Sequence, residues 1–131
     1  MKFIIDTNVL IFLGTGKRDR ISDDVMNIYG DQDSQIYISQ VSFWEIAIKI
    51  NIGKLHIPTG LGEIIVRTRD VGIETISIKN IHTLNYAQLP RFDNHKDPFD
   101  RLIVSTAQTE KLPIISNDRN FDLYQGVERL W

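Results

Sequence analysis

Cysteine is absent from the 131-residue sequence. That excludes disulfides, a thiolate metal site and a cysteine nucleophile, so any metal must be held by oxygen or imidazole. No apolar run approaches the roughly 18 residues of a membrane span. The apolar stretch at the N-terminus meets Asp6 too soon to read as a signal peptide, and a cytoplasmic protein is expected. Positive charge is not in excess: 15 Lys and Arg against 17 Asp and Glu leave a formal net charge of -2. The whole molecule is therefore no basic nucleic-acid binder, although a local basic patch is not excluded. A Gly-x-Ser-x-Gly elbow is also missing, which removes support for covalent acyl chemistry. Gly14-Thr15-Gly16-Lys17 fails as a phosphate loop, because the motif's first glycine falls on Ile11 and Arg18 follows Lys17. Histidine is sparse, with His56, His82 and His95 scattered along the chain. Each reads as a surface or hydrogen-bonding residue, and only His95, just before an acidic helix start, merits watching.

The remaining composition, 42% hydrophobic and 24% charged, is that of an ordinary globular protein. One domain spanning 1–131 is expected, long enough to bury a substantial core. No repeats, linkers or low-complexity tracts interrupt it.

Phe3-Ile4-Ile5 is a continuous apolar run that stops on Asp6, the pattern of a strand buried on both faces of a parallel sheet. Ligands in such sheets bind beyond the carboxyl ends of the strands. Asp6 is thus either a functional acid or the N-cap of the helix that follows. Further along, Ser22 caps a helix over 23–29, and 35–39 reads as a second strand. Ser42 and Glu45 have the spacing of a capping box, placing Glu45 in the first turn of the next helix, where Lys49 stands in pairing register. A helix from Pro58 to about Asp70, an edge-like strand over 73–78 and a helix capped by Asn80 follow. Asp97-Pro98-Phe99-Asp100 has cap, Pro and acid in the order of a helix start, with Leu102, Ile103, Thr106 and Ala107 as the buried stripe. Strands over 113–116 and 127–130 close the chain, with Asn117-Asp118 after the first of them.

Strands alternating with helices predict a three-layer α/β/α sandwich on a mainly parallel, roughly five-stranded sheet. This winding brings the strands' carboxyl ends to one rim, where Asp6, Glu45, Asp97, Asp100 and Asp118 can meet. Like charges about 4 Å apart repel by roughly 4 kcal/mol at an effective dielectric near 20. Raised carboxyl pKa values or a divalent cation relieve this. Hard oxygen donors without cysteine or a close histidine pair suit Mg2+ or Mn2+ rather than zinc. A carboxylate-held cation in an open cleft suits hydrolysis of phosphate esters by an activated water.

The ordered set Asp6-Thr7-Asn8, Ser42-Phe43-Trp44-Glu45-Ile46-Ala47-Ile48-Lys49, His95-Lys96-Asp97-Pro98-Phe99-Asp100-Arg101 and Ser116-Asn117-Asp118 resembles the PIN-domain ribonucleases, specifically the VapC-type toxins of type II toxin–antitoxin pairs. The likeness spans the first strand to the last. It implies a Mg2+- or Mn2+-dependent endoribonuclease acting on single-stranded RNA, usually dimeric, and neutralised by a small antitoxin whose tail occupies the active-site groove. By position the family's four acids fall on Asp6, Glu45, Asp100 and Asp118, which would hold metal and water. Asp97 is assigned to capping and to orienting the acids, and Thr7 and Asn8 to hydrogen bonds with the acids or a metal-bound water. Lys49, Lys54, Arg91, Lys96, Arg101 and Arg119 flank the acids and are the candidate phosphate contacts, with about half expected to touch RNA. Of the pair Phe43 and Trp44, either can stack a base, while Trp44 is expected in the core and the other ring at an interface.

Three other functions compete. A phosphoacceptor receiver domain needs an acidic pair after the first strand and an Asp after the third, but the third ends Ser77-Ile78-Lys79. A phosphatase of the haloacid dehalogenase type needs a second Asp where Asn8 stands. A module that mainly binds RNA or a protein partner, with cleavage secondary, is compatible with the same residues.

Overall fold

The computed structural model describes residues 1–131. Strand β1 (Lys2–Ile5) runs into helix α1 (Thr7–Gly14), and after a short 3-10 turn α2 (Asp23–Gly30) leads to β2 (Gln35–Ser39). Helices α3 (Gln40–Asn51) and α4 (Gly60–Asp70) precede β3 (Glu74–Ile76). Then come α5 (Asn80–Tyr86), α6 (Pro98–Glu110), β4 (Ile114–Ile115), a 3-10 turn over Arg119–Leu123 and β5 (Arg129–Leu130). The sheet has the order β3-β2-β1-β4-β5, and every pairing is parallel. β1 is central, with Ile5 in register with Ile38 on one side and Ile115 on the other.

Alternation along β1 divides the core. Phe3 and Ile5 pack with Val9, Leu10, Phe43, Ile46 and Ile64 from α1, α3 and α4. Ile4 faces the other way, onto Ile103, Val104 and Ala107 of α6 and Phe121. Each buried Val, Leu, Ile or Phe side chain among these contributes about 1.5–3 kcal/mol of transfer free energy. The expected buried stripe of α6 differs in one member: Val104 is buried and Leu102 only half-buried. α6 packs on the sheet through Ile103, Val104 and Ala107 and against α5 on another side, and this second neighbour widens the buried face to include Ser105, whose hydroxyl donates to the His82 carbonyl at 2.6 Å.

Helix starts follow their caps. Ser22 accepts from the Val25 amide at 3.2 Å, and Asp97 accepts from Phe99 and Asp100 at 2.8 and 3.3 Å. Two expected caps are displaced. α3 begins at Gln40, with Ser39 accepting from Val41 at 3.2 Å. β2 passes into the helix without a loop, so the capping box at Ser42 and Glu45 does not form and Glu45 sits in the second turn. At α5 the Lys79 backbone N–H donates to His82 Nδ1 at 3.1 Å, and Asn80 is the first helical residue rather than the cap. No helix is long and apolar enough to cross a membrane.

Candidate active site

The central strand delivers Asp6 to the rim already buried, at 3% exposure. The capping reading of this residue holds. Its Oδ1 accepts from the Val9 amide at 3.0 Å and caps α1, while its Oδ2 accepts a close hydrogen bond from the Ser116 hydroxyl. Ser116 lies just past β4, and its Oγ also accepts from the Asp118 amide at 3.0 Å. One serine therefore ties the ends of β1 and β4 together. Asp118 Oδ1 in turn accepts from the Asn120 amide at 2.9 Å, which starts the following 3-10 turn.

Glu45 reaches the same rim from α3 and is 6% exposed. Its Oε1 accepts from the Thr7 hydroxyl at 3.0 Å, and Thr7 Oγ1 lies 2.9 Å from the Ser42 hydroxyl. Its Oε2 meets Lys49 Nζ at 3.0 Å. Asp100 enters from the first turn of α6, with His95 Nε2 at 3.3 Å from its Oδ2.

The electrostatics of these groups show that they share one cleft. Burial pushes the Asp6 carboxyl up to about 6, against the hydrogen bonds from Ser116 and Val9, and the charges of Asp118 and Glu45 add to the rise. Asp100 is pushed up to about 8, first by burial and then by Asp97, Glu45, Asp6 and Asp118. Asp6 and Asp100 thus feel the charges of the other rim acids, and donor atoms of Asp100, Asp118 and His95 lie within 4.8 Å of one another. His95, in the same cleft wall, is lowered by burial despite the nearby charges of Asp118 and Asp97. The donor set is hard carboxylate oxygen plus one buried imidazole nitrogen without a hydrogen-bond partner, which fits a hard divalent cation such as Mg2+ or Mn2+.

The supporting and basic residues divide. Thr7 holds Glu45 as expected, and Asp97 caps α6. Asn8 is exposed and hydrogen-bonds none of the four acids, because the α1 cap turns it outward. Lys54, Arg91, Lys96 and Arg119 are exposed, with Arg91 and Lys96 lining one shallow cavity beside His95. Lys49 is committed to Glu45. Arg101 lines the same cavity but is only 8% exposed and already engaged: it donates to the Pro90 carbonyl at 2.9 Å and the Tyr124 hydroxyl at 3.1 Å, and lies over the Tyr86 ring. The helical stripe that carries Asp100 to the rim turns its neighbour inward, where carbonyl and aromatic partners replace water.

The aromatic pair is also reversed. Phe43 is core and Trp44 is 61% exposed, packed edge-to-face on Phe99 at 5.4 Å. Trp44 shares the helical stripe of Val41, and both line a groove with Pro98, Phe99 and Leu102, Val41 from the core and Trp44 from the surface. Sequence spacing gives no site role to Ser116 or Tyr124, and only a capping role to Ser42. Ser116 stood within the Ser116-Asn117-Asp118 motif, but only the pairing of β4 with β1 gives it a partner.

The PIN domain family matches residues 3–127. Similar solved structures include VapBC2 from Rickettsia felis bound to a DNA fragment from its promoter, with a TM-score of 0.73 and 16% identity over 99% of this chain and 98% of that one. DNA-bound VapBC from Salmonella typhimurium gives a TM-score of 0.70 and 19% identity over 99% and 97%. A toxin–antitoxin complex from Klebsiella pneumoniae gives 0.62 and 21% over 95% and 94%. At these identities the likeness is one of fold. No curated protein sequence matches the chain.

Proposed function

Because the chain belongs to the PIN-domain family, we propose that it is a divalent-metal-dependent endoribonuclease acting on single-stranded RNA, the VapC-type toxin of a toxin–antitoxin pair. The observation that carries this reading is the convergence of Asp6, Glu45, Asp100 and Asp118 on one rim, with two of the carboxyls held well above their ordinary range by burial and by one another. Mg2+ or Mn2+ bound there supplies an activated water and neutralises charge on the phosphoryl oxygens.

The chain's own residues supply the rest. Ser116 and Thr7 fix the carboxylates of Asp6 and Glu45, which keeps donor atoms aimed without reorganisation when the site fills. Lys49 neutralises Glu45 in the metal-free protein. Lys54, Arg91, Lys96 and Arg119, all exposed, guide the phosphate backbone. Arg101 stays in the wall, and Asp97 acts only through α6. The fold neighbours that are toxin–antitoxin complexes support a small antitoxin as partner, its tail lying in the groove over the acids. We further assign function to the whole chain, 1–131, as one domain working as a homodimer in the cytoplasm.

The test is cleavage of single-stranded RNA by purified protein. Activity with Mg2+ or Mn2+, abolished by EDTA and lost at least 100-fold in D6N and D100N, is the expected result. Cleavage that survives both EDTA and D6N would overturn the reading.

A further inference from the structure

We propose that His95 is a direct donor to the divalent cation beside Asp100 and Asp118, making the site a mixed imidazole–carboxylate centre that favours Mn2+ over Mg2+. The inference rests on the metal-dependent nuclease reading and extends its ligand set beyond the four acids.

His95 sits in the loop before α6, and its side chain is almost completely buried, at 4% exposure. Phe121 and Tyr124 wall the ring edge-to-face, each at 5.4 Å. Its Nδ1 is 2.7 Å from the Tyr124 hydroxyl. Its Nε2 makes no hydrogen bond, and the nearest group to it is Asp100 Oδ2 at 3.3 Å. Buried polar atoms in folded proteins are nearly always paired, so an unpaired one calls for a ligand or a strain. His82 provides the internal contrast. It is equally buried, yet Nδ1 accepts from the Lys79 amide and Nε2 pairs with Glu110 at 2.8 Å. His82 is a satisfied core histidine, and His95 is not.

The unpaired nitrogen points at the acids. One donor atom from each of His95, Asp100 and Asp118 lies within 4.8 Å of the others, while opposite ligands of an octahedral ion at ~2.1 Å are about 4 Å apart. Small side-chain adjustments therefore bring all three onto one ion. Ring orientation is fixed from behind. The Tyr124 oxygen accepts from Arg101 Nη1 at 3.1 Å and has a second lone pair for the His95 Nδ1–H. In that tautomer Nε2 carries a free lone pair, the form a metal requires. This relay gives the buried Arg101 and Tyr124 a use that phosphate contact does not. Because an imidazole nitrogen binds Mn2+ better than it binds Mg2+, which prefers oxygen, its presence shifts the selectivity.

Pulsed EPR of Mn2+ bound to the intact protein tests this. The expected spectrum shows 14N coupling from one imidazole, which becomes 15N coupling when the protein is made with 15N-histidine. The coupling persists in H56Q, whose histidine is exposed, and disappears in H95Q with about a tenfold loss of Mn2+ affinity and a smaller loss for Mg2+. Y124F, which removes the anchor and keeps the ring, weakens Mn2+ binding in the same direction. Should H95Q not fold, the isotope substitution in the unaltered protein and the H56Q spectrum decide. Stoichiometric Mn2+ binding without nitrogen coupling overturns the ligand assignment and leaves the nuclease reading standing. Absence of binding of both Mn2+ and Mg2+ overturns both readings.

Discussion

At the residue scale the site is a set of anions held in place by neutral donors. Asp100 takes up a proton on folding, because its carboxyl rises from 3.8 to about 8. An acid raised in this way gives stability that is full below pH 3.8 and is lost as pH climbs through about 8, since charging it then costs the folded state alone. Asp6 acts with the same sign up to about 6. Metal-free protein is therefore expected to lose stability steadily between about pH 4 and 8. D100N should flatten that decline and be more stable than the unaltered protein at pH 8.5 by on the order of 2 kcal/mol. Denaturant midpoints across that range check it, and parallel curves for the two proteins would refute it. That acids gather at the strands' carboxyl ends was legible in sequence, because Asp6 and Asp118 follow strands and Asp97 and Asp100 open a helix, while the choice of Asp6, Glu45, Asp100 and Asp118 came from the family resemblance. Which donor holds which carboxylate was not legible, since Ser116 reaches Asp6 across 110 positions of chain.

At the element scale, helix caps decide how acids are presented. Asp97 lies two and three residues before the amides it satisfies and starts α6 so that Asp100 falls on the inner face. Its role is to accept hydrogen bonds, which Asn does as well as Asp. D97A should cost about 1 kcal/mol in unfolding free energy while D97N costs almost none. If D97N destabilised as much as D97A, its charge rather than its cap would matter. The far end of α6 gives a second expectation. Lys111 closes the helix at φ 56°, a left-handed conformation that glycine adopts without penalty. K111G should raise thermal stability by roughly 1 kcal/mol. The misplaced start of α3 belongs to this scale too. Ser42 and Glu45 carried a valid capping signal, but β2 enters the helix directly and Ser39 captures the role first.

At the scale of the whole molecule, folding and metal binding are coupled. The fold pins four repelling carboxylates to one rim, so a cation that binds only this arrangement stabilises it by mass action. Adding Mg2+ or Mn2+ well above the dissociation constant should raise the melting temperature by several degrees. The gain should be larger at pH 8 than at pH 6, because ligands must lose their protons to bind. Calorimetric scans with and without 10-fold excess EDTA read this out. Without a cation, Lys49, Ser116 and protonation of Asp100 relieve part of the repulsion.

The sequence by itself determined the parallel architecture and the order of elements, because buried runs such as Phe3-Ile4-Ile5 and cap signals such as Asp97-Pro98 act locally, and it carried acids to one rim, among which the family resemblance singled out four. Only the tertiary structure decided the rest. It turned Arg101 into the wall, left Trp44 outside and Phe43 within, and aimed an unpaired His95 nitrogen at Asp100. Those outcomes depend on which helix face meets which neighbour, and α6 meets the sheet, α5 and the Tyr124 loop only once the chain has closed.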